Sequence, residues 1–240
     1  MNTYRPSPFA NMPPVVKNLL IINIIFFIAT ILFSQGGNSP LVEWLAVFYF
    51  DSPFFRVWQI ITYMFMHGGF THLFFNMFAL YMFGSMIERI MGSKRFLNFY
   101  LITGLGALVL QMLVQAFEIY SIVGSVRIDQ SLSYDHLNPH QLEVIKEIYS
   151  SPMLGASGAI FGILVAFGIL FPDVELFIMF IPVPVKAKYI IPVYIVLELF
   201  LGVAQFSGDS VAHFAHLGGA LFGFILIKLW GIKRPRNFYE

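Results

Sequence analysis

Stretches of about 20 apolar residues recur along this chain, and no other feature restricts its fold as severely. Six of them, at residues 15–33, 72–90, 96–116, 152–171, 187–206 and 211–230, each have the length that crosses a hydrocarbon core of about 30 Å as a helix. Only 11% of the 240 residues are charged and 58% are hydrophobic, too little charge to coat a water-soluble domain of this size. The expectation is an all-α membrane protein, a six-transmembrane-helix bundle over residues 15–231, with tails at 1–14 and 232–240. The polar, proline-rich start has no basic region leading into a short apolar stretch, so the first apolar segment reads as a retained helix and not a cleaved signal. A net charge of +1 removes the electrostatic case for nucleic-acid binding, and the absence of cysteine excludes thiolate chemistry and disulfides.

Two segments do not fit the spanning pattern. Residues 41–66 are apolar but broken by Asp51, Pro53 and Arg56. Six aromatics fall between Trp44 and Phe55, a composition suited to the membrane interface between the first two spans. Residues 117–151 carry Glu118, Arg127, Asp129, Asp135, Glu143, Lys146 and Glu147 and form a water-facing insertion. Within it, Asn138-Pro139 opens a capped surface helix whose Leu142, Ile145 and Ile148 share one face, turned to membrane or to protein. Eleven of the 14 Lys and Arg residues fall at one set of span ends, which places both termini in the cytosol and the insertion outside.

Polar side chains within spans are costly and therefore informative. The second, fourth and sixth spans each carry a cluster near the outer end: His72 and Asn76, Ser157, and His213 with His216. Ser157 lies in GASGAIFG, where Gly155, Gly158 and Gly162 are small enough to admit a neighbouring helix backbone. Gly219 and Gly223 repeat that spacing on the face that carries His216. Two glycine-faced helices would bring a hydroxyl within reach of an imidazole, the arrangement that activates a serine. His72 and Asn76, four residues apart, share a helix face from which both can aim at one developing oxyanion, with the Ser157 backbone N–H as a further donor. Taken singly, a serine beside glycine is ordinary helix packing, and an intramembrane histidine or asparagine often bonds a neighbouring helix. Their common depth is what points to chemistry.

The strings RVWQIITYMFMHGGFTHLFFN, ERIMGSKRFLNFYLITGLGA, GASGAIFG and AHFAHLGGALFG, in this order across the six spans, resemble the rhomboid intramembrane serine proteases. That resemblance implies a rhomboid-like bundle in which Ser157 is the nucleophile and His216 the general base, a dyad with no third acidic member. It implies an oxyanion hole of His72, Asn76 and the Ser157 backbone, with Phe161 packed on the catalytic histidine, and Gly155 and Gly158 supporting the serine. The reaction implied is hydrolysis of peptide bonds in or near transmembrane segments of membrane-protein substrates, without a cofactor. The fifth span and the GDSV loop would act as gate and cap. The alternative is a rhomboid-like pseudoprotease that binds membrane clients without cutting them. The partners expected are transmembrane-helix substrates and membrane lipids, and the setting a bacterial inner membrane.

Other polar residues receive supporting readings. His213 and His67 read as neighbours of the site. A metal site of His67, His72, His213 and His216 would lack a carboxylate ligand and leave Ser157 unexplained. Glu88-Arg89 reads as a structural pair at a helix end. Trp58-Gln59 departs from the Trp-Arg that family members often carry and leaves the anchoring of the interfacial loop open. Glu198, a carboxylate inside the fifth span, is expected to face protein and not lipid.

Overall fold

The computed structural model describes residues 11–34, 39–129, 137–177, 183–204 and 211–234. Most of both tails, the end of the fifth span and all but Val211 of the GDSV loop lie outside that range.

Helix α1 (Pro14–Leu32) is predominantly apolar, with Asn23 and Thr30 turned inward, and it turns much of its apolar surface outward, as a lipid-facing helix does. Its start is closed from a distance. Pro13 and Pro14 have no N–H. The amides of Val15 and Val16 donate to the two carboxylate oxygens of Glu88 at 3.0 and 2.8 Å, and Lys17 makes the first intrahelical bond. Ser93 Oγ donates to the same carboxylate at 2.7 Å. Glu88 is buried, and Arg89 turns away to donate to the Asn11 carbonyl at 3.0 Å. The expected structural pair is thus a remote helix cap in which the two residues have separate partners.

The interfacial segment breaks into short pieces, α2 (Pro40–Leu45), α3 (Gln59–Thr62) and a 3-10 turn (Tyr63–Phe65). Gln59 is fully buried. It donates to the carbonyls of Glu43 and Phe54, both at 3.1 Å, and accepts from the Arg56 amide at 2.9 Å. The loop is therefore held from within by the residue that departs from the family string. Trp44 and Trp58 meet edge to face at 5.8 Å and stay largely exposed, as interfacial aromatics do.

The second span is α4 (Phe70–Ala79), a π-turn (Leu80–Gly84) and α5 (Ser85–Met91). The third, α6 (Ser93–Val123), runs seven residues beyond 116 and ends at Gly124, whose φ of +73° forms a left-handed cap. Its extra turns are covered by α7 (Pro139–Ser150): Ile119, Tyr49 and Ile148 make a small separate core. Asn138 and Gln141 close a reciprocal capping box at the start of α7. Ile145 and Ile148 rest on protein, and Leu142 remains exposed.

The remaining spans are α8 (Ser157–Leu170), α9 (Ala187–Ala204) and α10 (His213–Leu229), with an antiparallel pair β1 (Glu175–Phe177) and β2 (Pro184–Lys186) between α8 and α9. At 1.5 Å per residue, α8 and α10 extend only about 21 and 25 Å, short of the expected 20-residue spans. Both are shortened at their N-terminal ends, where Ser157 and His213 begin them. The large core lies among α4–α6, α8 and α10, and α9 stands at the edge with broad apolar exposure. Among the described residues the architecture is a helical membrane bundle, as its apolar spans require.

Candidate active site

The segment before α8 is clamped to the interfacial loop. Val47 and Met153 exchange backbone hydrogen bonds at 2.9 and 2.8 Å, and the Gly155 amide donates to the Tyr63 carbonyl at 3.0 Å. Tyr63 is itself fixed through its hydroxyl, which donates to the Gly104 carbonyl of α6 at 2.7 Å. Gly155 has φ +129°, a conformation that L side chains rarely adopt. A Cβ there would meet His72 Nε2 at 2.8 Å and stand 3.5 Å from Ser157 Oγ, so imidazole and hydroxyl face the same small volume.

Helices α8 and α10 touch through backbone. A Cβ on Gly219 would run into the Gly158 carbonyl, and one on Gly223 would meet Gly162 Cα at 2.6 Å. A Cβ on Gly158 would strike Ala107 of α6. This contact brings Ser157 and His216 together: His216 Nε2 lies 2.8 Å from Ser157 Oγ. Phe161, one turn after the serine, stacks on the His216 ring with centroids 4.3 Å apart and planes 8° from parallel, and Tyr194 of α9 backs Phe161 at 5.0 Å. A hydroxyl in contact with an imidazole whose ring is clamped by an aromatic has the two parts of a base-activated nucleophile.

The second span contributes unequally. His72 is placed beside Gly155 as described. Asn76 is buried on the same helix and spends one amide hydrogen on the His72 carbonyl at 2.9 Å. His67, just before this span, is 1% exposed, with its ring 5.0 Å from that of His72. Burial, and then the neighbouring His72, bring the His67 imidazole down to about 3, so it is neutral at ordinary pH.

One contact was not expected. Glu198 Oε2 lies 2.9 Å from His216 Nδ1 and 2.6 Å from His213 Nδ1. The resemblance implies a pair without an acid, yet a buried carboxylate here touches the far side of the imidazole that faces Ser157. The sequence signal was present in part: a carboxylate in an apolar span must find partners, and His213 and His216 share a helix face. Nothing in the spacing of α9 fixed which of its faces meets α10. Glu198, His213 and His216 also form the described residues' candidate metal cluster. A tetrahedral Zn²⁺ with bonds of about 2.0–2.2 Å holds its ligand atoms more than about 3 Å apart. The spacings of 2.6 and 2.9 Å are those of hydrogen bonds.

Fold and geometry define a class before any comparison: a helical membrane bundle that sets a serine hydroxyl against a clamped imidazole. A family model described as the Rhomboid domain matches residues 55–232, and the chain belongs to the rhomboid family. It is similar to a Bacillus subtilis protein named putative rhomboid protease YdcA, 28% identical over 183 residues, covering 75% of this chain and 71% of that protein. Rhomboid protease AarA of Providencia stuartii is 28% identical over 217 residues, 87% of this chain and 69% of the relative. Rhomboid protein 1, mitochondrial, of Saccharomyces cerevisiae is 29% identical over 165 residues, 69% of this chain but 39% of the yeast protein. The chain thus spans well under half of that longer relative.

Proposed function

We propose that this protein is an intramembrane serine endopeptidase that cleaves membrane-protein substrates in or near their transmembrane segments. The observation that carries the reading is the 2.8 Å contact between Ser157 Oγ and His216 Nε2. The names of the bacterial relatives, rhomboid proteases, support it. In this reading Ser157 attacks a peptide carbonyl while His216 takes its proton. The imidazolium returns the proton to the leaving amine, forming an acyl-enzyme that water then hydrolyses. His72, Asn76 and the Ser157 N–H stabilise the tetrahedral oxyanion, each donor contributing about 3–4 kcal/mol in the transition state.

A helical substrate hides its carbonyls in its own hydrogen bonds, so the segment to be cut unwinds locally on entering the site. The edge helix α9 is the side from which it arrives: Tyr189, Val193, Val196 and Val203 leave a broad apolar face toward lipid. The distribution of basic residues supports both termini on the cytosolic side, and the bacterial relatives support a bacterial inner membrane as the setting.

The test is cleavage of a fluorescently tagged single-span substrate by purified protein in detergent, with Ser157→Ala and His216→Ala beside the wild type. Loss of cleavage in both folded variants is expected. Equal cleavage by all three would overturn the assignment of these residues. A folded wild type that binds single-span clients and cuts none would instead establish the pseudoprotease.

A further inference from the structure

We infer that Glu198 is a positioning residue for His216, completing a Ser157–His216–Glu198 relay in which His213 holds the carboxylate in place. This inference rests on the proteolytic reading above and adds an acid to its pair.

Glu198 is 3% exposed in a helix that beyond Lys188, at its start, has no other charged residue. A carboxylate at such a position is retained only with strong partners. It has two, and both approach one oxygen through Nδ1. A carboxylate only accepts hydrogen bonds, so each imidazole donates from Nδ1. A neutral imidazole that donates at Nδ1 carries its lone pair at Nε2, and Nε2 of His216 is the atom that faces Ser157 Oγ. Glu198 therefore selects the tautomer in which His216 can act as a base. When the proton moves from Ser157 to Nε2, the same oxygen faces the imidazolium and stabilises its charge.

The seating of α9 is built for this contact. Gly202, one turn after Glu198, lies against α10 so closely that a Cβ would meet His213 Cβ at 3.1 Å and the Phe214 ring at 3.3 Å. His213, itself buried, supplies the shorter of the two bonds and fixes the carboxylate rotamer while His216 does the chemistry. A consequence follows for the substrate path. If α9 moves aside to admit a substrate, Glu198 leaves His216, so the base is oriented again only when α9 has returned.

The test combines kinetics with ¹⁵N NMR of histidine-labelled full-length protein in micelles. In wild type, His216 should be the Nδ1–H tautomer; finding it as Nε2–H overturns the inference without any variant. Glu198→Gln should lower kcat on a model single-span substrate about 100-fold, the tautomer-dependent loss known for an acid-to-amide change in a triad being larger still. KM should stay within threefold, and the Nδ1–H signature of His216 should be lost. Glu198→Asp should recover at least tenfold over Glu198→Gln. A Glu198→Gln protein with kcat within twofold of wild type, or with the His216 tautomer unchanged, overturns the proposal. Cleavage that survives Ser157→Ala defeats the proteolytic reading instead, and the wild-type tautomer still decides the role of Glu198.

Discussion

Phe161 lies nearly parallel to His216, with the two ring centroids 4.3 Å apart. Because the phenyl and Ser157 sit one turn apart on the same helix, a single element carries both the proposed nucleophile and the surface that orients its proposed base. Phe161→Ala removes a stacking contact of about 0.5–1.5 kcal/mol and frees the imidazole to rotate. We expect kcat to fall about tenfold, with Phe161→Tyr close to wild type. Steady-state cleavage of a tagged single-span substrate checks this.

Tyr149 donates to Asp51 Oδ2 at 2.7 Å, the Ile128 amide reaches the same oxygen at 3.1 Å, and Ser52 Oγ donates to the Tyr149 carbonyl at 2.7 Å. These bonds join the 117–151 insertion to the interfacial loop. Burial, with Asp51 beside it, pushes the neighbouring Tyr49 hydroxyl up to about 12, so it stays protonated and donates to the Val126 carbonyl at 2.8 Å. A double-mutant cycle of Asp51→Asn and Tyr149→Phe, read by thermal unfolding in detergent, should give a coupling of about 1–2 kcal/mol. Additivity within about 0.3 kcal/mol would mean that the bond does not hold the insertion down.

The neutral His67 makes stability depend on acid. Its folded pKa, about 3, lies below the ordinary value of 6.5. The unfolded chain therefore binds the proton more readily. This contribution is complete above about 6.5 and is lost as pH falls toward 3, at about 1.4 kcal/mol per pH unit. Melting curves at pH 7 and pH 4.5 should separate more for wild type than for His67→Gln, by about 2–3 kcal/mol. An identical separation in the two proteins would refute it.

Glu88→Ala strips the two α1 amides of their acceptor. Each buried donor left unsatisfied costs about 1–3 kcal/mol, and the relief of a buried charge offsets part of that. The expected loss is about 2–4 kcal/mol in unfolding free energy, with Glu88→Gln milder because its carbonyl still accepts. Activity per folded molecule should not change, since Glu88 serves the helix start and not the site.

Hydropathy and small-residue spacing carried much of this structure in legible form. The positions of the spans, the capped helix after Asn138 and the approach of α8 to α10 through Gly158, Gly162, Gly219 and Gly223 all follow from local sequence. The helix starts did not. An apolar run does not say where hydrogen bonding begins, so residues 152–156 read as helix although the backbone there pairs with Val47 and Tyr63. The apolar run of the third span ends where charges begin, yet α6 continues because Ile119 finds cover from Tyr49 and Ile148. Glu198 was legible as a residue that needs protein around it. Its two partners depend on the rotation of α9 against α10, which is fixed by packing at Gly202 and has no local periodicity to announce it.

The closure of α1 by Glu88 also bears on how the chain is made. During synthesis α1 leaves the ribosome well before the carboxylate that completes its start, which lies more than seventy residues behind it. Until the second span is in place beside it, the amides of Val15 and Val16 must rely on water or lipid headgroups. The hydrogen bonding of the first helix is therefore completed only when the second span brings Glu88 to its start.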